Sequence, residues 1–239
     1  MKKQMLYGDL AAYYDLIYDW KAYSREAATV KKCIARFKRS SGKTLLDVAC
    51  GTGQHIGYLK DDFICTGIDC NPAMLTIART RHPRTRFILG DMTHLTLGKT
   101  FDVITCLFSS IGYVKTEAKL RKTLNGFAEH LSPGGVFIIE GWFEPTAYKE
   151  ENLSLNVHDG TDVKVVRMIQ GKRKGNRSVT DMHYIIGERG RSIRHVVDRH
   201  DMGLFTAKQF TELMKEVGLE PTVIPHGMTK MRNLYIGTK

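Results

Sequence analysis

A chain of 239 residues with 42% hydrophobic content can bury the core of one large α/β domain, and a single domain over residues 1–239 is expected. No stretch approaches the roughly 20 apolar residues that cross a bilayer, and residues 1–20 lack the apolar centre and cleavage pattern of a signal peptide, so a membrane protein is excluded and a cytoplasmic one expected. The net charge of +11 is concentrated in residues 164–199, where ten Lys or Arg face only Asp181, Glu188 and Asp198; this segment attracts anions, as solvated strand surface or as a seat for a phosphorylated substrate or RNA.

Residues 6–23 are crowded with Tyr7, Tyr13, Tyr14, Tyr18 and Tyr23 and predict a helical lid, continued by an amphipathic helix over 25–37, so that 1–40 cover the rest of the domain. Strand-like runs then recur at 44–48, 63–68, 86–89, 101–107 and 136–140. Helical segments lie between them, including 54–60 and 72–81, the latter opened by Asn71 and Pro72. The alternation predicts right-handed βαβ units and a parallel sheet. Within 150–203 the period changes to short extended runs at 163–169, 178–186 and 192–199, an antiparallel β insertion. A helix over 206–217 stops at Gly218, and 232–237 supplies a closing strand. Cys33, Cys50, Cys65, Cys70 and Cys106 contain no CxxC pair; they read as reduced and structural, and no metal site is expected.

The chemistry concentrates at the strand ends, where open parallel sheets bind ligands. After the first strand, Gly51 and Gly53 let the chain turn tightly and approach a ligand, and an anion could rest on the amides that follow. Asp69, at the end of the second strand, can accept both hydroxyls of a ribose. Position 56 is Ile where the dinucleotide fingerprint places its third glycine, which disfavours NAD; an ordinary βα turn is the plainer alternative. Met74 is helix core or an adenine neighbour. Gly90-Asp91-Met92 offers a carboxylate and a thioether for adenine, although Asp91 alone could be a turn aspartate. Phe108-Ser109-Ser110 follows the fourth strand.

Asp47-Val48-Ala49-Cys50-Gly51-Thr52-Gly53 is similar to the Asp-x-x-x-Gly-x-Gly motif of class I S-adenosylmethionine-dependent methyltransferases, and Leu131-Ser132-Pro133-Gly134-Gly135 to a turn common in that class. Nearly the whole chain resembles the N,N-dimethyltransferases of dTDP-linked amino sugars that make mycaminose and desosamine in antibiotic biosynthesis. The likeness is carried by Tyr14-Asp15-Leu16-Ile17-Tyr18, residues 45–53, 107–113 and 127–135, and Arg232-Asn233-Leu234-Tyr235-Ile236-Gly237. It implies a Rossmann-like class I methyltransferase sheet with helices on both faces and S-adenosyl-L-methionine as cofactor. The expected cofactor contacts are Tyr14, Tyr23, Asp47, Ala49, Gly51, Gly53, Asp69, Cys70, Met74, Asp91, Met92 and Phe108. Tyr18 and His130 match the catalytic tyrosine and histidine beside the sugar amine. Ser110, Tyr113, Trp142 and Arg232 belong to the expected substrate side, with Arg199 and His200 of the basic insertion as candidates to meet a nucleoside diphosphate. Without the resemblance, Tyr18 reads as lid packing, Arg232 as a surface strand residue, and His130 as one of nine histidines, beside a core face of Leu120, Leu124, Phe127 and Leu131.

The implied reaction is direct displacement by a neutral amine, in which positioning contributes much of the rate and His130 or Tyr18 takes the proton. The expected partner is a small-molecule substrate, a nucleotide-linked amino sugar; a homodimer is allowed for. Methylation of another small amine or hydroxyl is the alternative. An RNA-associated cofactor-binding module ranks below both, since no Asn-Pro-Pro-Tyr-like motif or paired Pro-Cys cysteines are present.

Overall fold

The computed structural model describes residues 4–151, 153–229 and 231–239. Strands β1 (Thr44–Val48), β2 (Ile64–Asp69), β3 (Arg86–Leu89), β4 (Phe101–Cys106) and β5 (Leu131–Glu140) run with helices α1 (Tyr14–Ile17), α2 (Tyr23–Phe37), α3 (Gln54–Leu59), α4 (Pro72–Arg81) and α5 (Glu117–Glu129). The five strands pair in parallel, with Leu46 between Thr66 and Ile104. Every residue of β4 is buried, as a central strand covered on both faces requires. β5 starts at Leu131 rather than at 136. The Pro-Gly-Gly segment lies within it as an irregularity, Phe101 pairing with Leu131 and Val103 with Val136.

Helix α6 (Ala207–Glu216) begins with a reciprocal Thr206–Gln209 cap and stops before Gly218, whose φ of +77° needs glycine. Two further strands close the sheet: β10 (Glu220–Thr229) and β11 (Arg232–Thr238), the latter antiparallel to β5. β10 was not read from the sequence, because Pro221 and Pro225 argue against a strand; it occupies the edge, where a missing N–H costs no ladder bond. One face of the sheet packs Val103, Val136 and Ile138 against Ala27, Val30 and Ile34 of α2. The other packs Ile104, Phe137 and Ile139 against Phe127 of α5 and Phe210 and Leu213 of α6. Each such side chain contributes about 1.5–3 kcal/mol of burial.

The insertion is a separate antiparallel sheet of β6 (Leu153–Asp159), β7 (Val163–Lys174), β8 (Arg177–Glu188) and β9 (Arg194–Gly203), one strand more than the sequence signals. The extra strand, β6, carries the alternating apolar residues Leu153, Leu155 and Val157, all exposed to solvent. The N-terminal segment also differs from the expected lid helix. Residues 4–22 are turns, a 3-10 turn at Ala11–Tyr13 and the four-residue α1, held by tertiary contacts instead of helical periodicity. The Leu6 amide donates to Asp198 Oδ2 at 2.9 Å, and Leu6, Tyr14, Ile17 and Tyr18 pack with Met74, Val165 and Tyr184 between the sheet and the insertion. No helix among the described residues is long and apolar enough to cross a membrane.

Candidate active site

A cavity of about 480 Å³ opens at the carboxyl ends of β1 to β4. Its floor is the loop after β1, where Ala49, Gly51 and Gly53 have φ of +57°, +55° and +77°. Glycine takes this conformation freely, whereas at Ala49 it costs roughly 1–2 kcal/mol. With no side chain at Gly51, bare main chain faces the space, and Met74 Cε lies 3.4 Å from where a Cβ would stand, an ordinary contact distance. Asp69 braces this loop, Oδ2 accepting the Gly51 N–H at 2.9 Å and Oδ1 the Asn71 N–H at 2.8 Å. Burial pushes the Asp69 carboxyl up against the pull of these amides, and each oxygen keeps a further lone pair. Asp47 accepts Thr105 Oγ1 at 2.7 Å, and burial pushes its pKa up to about 6 despite the neighbouring His55.

The N-terminal segment latches onto this loop. Asp15 accepts Thr52 Oγ1 at 2.8 Å and Arg81 Nη2 at 2.5 Å, while Arg81 Nη1 donates to the Thr52 carbonyl at 2.8 Å. Opposite, Phe108 and Ser109 are left-handed (φ +52° and +60°); Glu140 accepts the Phe108 N–H at 2.7 Å and Ser109 Oγ donates to the Gly141 carbonyl at 2.7 Å. These bonds hold a backbone that non-glycine residues otherwise avoid.

Tyr14, Tyr23, Asp47, Ala49, Gly51, Asp69, Cys70, Met74, Asp91, Met92, Phe108, Ser110 and Tyr113 all line the cavity, although they come from elements far apart in sequence. Seven expected contacts do not. Gly53 lies behind the loop, its carbonyl bonded to His82 Nε2 at 3.0 Å. His130 caps α5 at the amino end of β5, the end of the parallel strands opposite the cavity. Its Nδ1 bonds the Gly126 carbonyl at 2.7 Å and its Nε2 accepts the Leu97 N–H at 3.0 Å, which leaves no nitrogen for an amine. Tyr18 stands behind the wall, its ring against Tyr14 and Phe108 and beneath the Arg167 guanidinium. Arg232 stacks on Trp142 at 4.5 Å and faces the buried Glu140, so both sit one layer below the cavity. Arg199 lies on the outer face of the insertion, paired with Asp181 through two bonds at 2.6 and 2.8 Å. His200 is 1% exposed and spends both ring nitrogens on Asp198 and Tyr113, so no diphosphate can reach it.

Other wall residues were not singled out. Tyr7 was visible in the tyrosine cluster, and His55 follows Gly53 by two positions, so both carried a signal. Behind this wall, Glu26 Oε2 meets His55 Nε2 at 2.8 Å and Lys21 pairs with the same carboxylate, its ammonium 4.1 Å over the Phe108 ring; neither residue lines the cavity or carries a signal in the sequence. Burial alone would raise the Glu26 carboxyl, but His55 and Lys21 hold it below the usual range. The basic insertion is locally compensated: Lys164, Arg177, Arg189, Arg191, Arg194 and Arg199 each face a carboxylate.

The arrangement suits a cationic nucleoside. A main-chain cradle lies beside the buried Asp69, the cavity is walled by Tyr14, Phe108 and two methionines, and Asp47, Asp69 and Asp91 supply negative charge. Comparison with known proteins agrees. Residues 45–135 match the family model described as a methyltransferase domain. The chain is 34% identical over 233 residues to the dTDP-3-amino-3,6-dideoxy-alpha-D-glucopyranose N,N-dimethyltransferase of Streptomyces fradiae, covering 96% of this chain and 91% of the relative. It is 31% identical over 238 residues to the dTDP-4-amino-2,3,4,6-tetradeoxy-D-glucose N,N-dimethyltransferase of Saccharopolyspora spinosa, covering 97% and 93%. The crystal structure of Streptomyces venezuelae DesVI superposes with a TM-score of 0.89 at 33% identity, over 96% of this chain and 98% of that one.

Proposed function

This chain belongs to the N,N-dimethyltransferases of dTDP-linked amino sugars, S-adenosylmethionine-dependent enzymes of class I, and from that premise we propose that it dimethylates the amine of a dTDP-linked deoxyamino sugar. The observation that carries the reading is coverage. The likeness to the Streptomyces fradiae relative spans 96% of this chain, beyond the shared cofactor sheet to the N-terminal segment and the insertion that enclose the acceptor side. The enzymatic class and the cofactor, S-adenosyl-L-methionine, follow from the family.

When bound, the cofactor supplies a methyl group on a positively charged sulfur. The main chain at Ala49 and Gly51 would meet its amino-acid end, Asp69 the ribose, and Met74, Asp91 and Met92 the adenine. Phe108, Tyr14 and Tyr23 exclude water from the reacting centre. The protein's main task is then to hold a neutral amine at near-attack distance, an effect that supplies about 7 kcal/mol or more in favourable cases. Ser110 and Tyr113 are the expected substrate contacts that reach the cavity, while Arg232 acts through Glu140 and Phe108.

The test is turnover of S-adenosylmethionine with a panel of dTDP-3-amino- and dTDP-4-amino-deoxysugars and simple amines, read by product mass. A gain of two methyl groups on one nucleotide sugar is expected. Cofactor binding without sugar turnover would remove the acceptor from the reading.

The sheet β6–β9 carries Leu155, Val157, Met168, Ile185 and Val197 exposed on its outer face, an apolar surface that suits a second copy of this chain. Five unpaired cysteines suit a reducing compartment, in keeping with a cytoplasmic enzyme.

A further inference from the structure

Behind the cavity wall, four side chains from three separate segments form one hydrogen-bonded line. Asp198 Oδ2 lies 3.1 Å from His200 Nε2, His200 Nδ1 lies 2.5 Å from the Tyr113 hydroxyl, and the Tyr113 hydroxyl lies 2.8 Å from that of Tyr7. Asp198 and His200 are 4% and 1% exposed, whereas Tyr113 and Tyr7 line the cavity. We propose that this line is a proton relay, in which Tyr7 meets the acceptor amine and passes its proton through Tyr113 to His200, with Asp198 as counter-ion.

The direction of each bond follows from the buried end. Burial alone would raise the Asp198 carboxyl, but His200 and the Leu6 amide hold it below the usual range, so it is an acceptor. His200 Nε2 must then carry the hydrogen, which leaves Nδ1 of the neutral ring to accept from Tyr113. With its own hydrogen committed, the Tyr113 oxygen accepts from Tyr7. Tyr7 therefore presents only lone pairs for a further bond, an arrangement suited to receiving a proton.

The transfer balances as a concerted shift. An N–H bond of the substrate ammonium breaks and its electron pair stays on nitrogen, ready for methyl transfer. A new O–H bond forms at Tyr7, whose former hydrogen moves to Tyr113, and the Tyr113 hydrogen moves to His200 Nδ1. The result is a neutral amine and an imidazolium facing the Asp198 carboxylate. Neither phenol can hold the extra proton, because a phenol oxygen is far too weak a base, and burial, which pushes both pKa values well above the usual tyrosine value, disfavours a phenolate at either ring. After product leaves, the same line returns the proton to solvent.

The groups around His200 keep the charge balance simple. Tyr7 packs edge-on at 5.8 Å from the N-terminal segment, Tyr113 and Lys115 approach from the turn after β4, and Thr180 is the uncharged partner on β8. Lys115 is itself paired with Asp201. Tyr7 is thus the contact residue, and Tyr113, His200 and Asp198 are positioning residues that act through it.

The inference rests on an amine acceptor, and two measurements separate its failure from the failure of that reading. The first needs no substrate: nitrogen-15 NMR of the full chain, with the His200 signals identified by their loss in His200→Asn. The relay requires a neutral Nε2–H imidazole at about pH 7.5 whose Nδ1 signal moves in Tyr113→Phe; an Nδ1–H tautomer or a standing imidazolium overturns it. The second is kcat against pH with S-adenosylmethionine and a dTDP-amino sugar. His200→Asn and Tyr7→Phe are expected to lose about 10- to 100-fold near pH 7 and to recover as the substrate amine deprotonates, with cofactor affinity changed less than about twofold. Tyr7→Phe removes one hydroxyl and keeps the ring, so it serves if His200→Asn fails to fold. An equal loss at every pH marks a structural role and ends the proposal; a wild-type enzyme inactive on every amino sugar ends the acceptor reading, while the NMR result still decides the relay.

Discussion

The carboxylate of Glu140, fully buried at the end of β5, accepts the main-chain N–H of Phe108 at 2.7 Å and so fixes the left-handed turn that closes the cavity. Its other oxygen faces Arg232 at 3.5 Å, the cation that balances its charge. In Glu140→Ala the Phe108 amide loses its acceptor and Arg232 its counter-ion. A stability loss of about 2–4 kcal/mol is expected, with cofactor binding weakened at least about tenfold. Urea unfolding and titration calorimetry read the two effects, and unaltered cofactor affinity would show that the turn does not shape the site.

Asp15 joins the N-terminal segment to the cofactor loop through Thr52 and Arg81. These groups are partly exposed, so Asp15→Ala is expected to cost no more than about 1 kcal/mol of global stability. The local effect should be larger, with cofactor dissociation faster by about tenfold, because the segment that covers the site is released. Stopped-flow displacement measures it; an unchanged off-rate means that other contacts keep the segment closed.

Asp47 has the opposite pH linkage from most carboxylates. Its pKa is pushed from the ordinary 3.8 up to about 6 by burial, so the folded protein holds that proton more tightly than the unfolded chain. The stabilising contribution is therefore complete below about pH 4 and lost as pH rises through about 6. Asp47→Asn, which keeps an oxygen for Thr105, should match the wild type near pH 4 and exceed it by about 3 kcal/mol at pH 8. Thermal melts across this range test the sign, and a variant less stable at pH 8 would refute it.

His130 serves the fold. Both its ring nitrogens are bonded at the amino ends of the strands, remote from the cavity. His130→Ala is expected to lose about 1–3 kcal/mol through the orphaned Leu97 amide and Gly126 carbonyl. Measured well below the melting temperature, kcat/KM should stay within about twofold of wild type. A hundredfold loss in a folded variant would restore its catalytic role.

The apolar outer face of the insertion predicts self-association. Met168→Glu together with Ile185→Glu places charge at its centre, on β7 and β8, and should shift sedimentation from dimer to monomer, while the inner face and its contacts with the N-terminal segment stay intact. A wild type that sediments as a monomer removes this assignment.

Local chemistry made much of the catalytic domain readable from the chain. Gly51 and Gly53 need positive φ, Asp69 ends a strand beside them, and a parallel sheet puts every strand's carboxyl end on one side; from these alone much of the cavity wall follows. Asn71 and Thr206 likewise mark helix starts by hydrogen bonds made within three residues. Tertiary structure decided what depends on contacts across the chain. His130 resembled a site residue by its motif, yet α5 ends at the amino ends of the strands, away from the cavity at their carboxyl ends, so its place in space overrules its neighbours in sequence. β10 carries Pro221 and Pro225, which argue against a strand until the tertiary structure puts it at the sheet edge. The line from Asp198 to Tyr7 spans nearly two hundred positions and has no local signature, because only the packing of the insertion against the N-terminal segment brings its hydrogen-bonding atoms within reach.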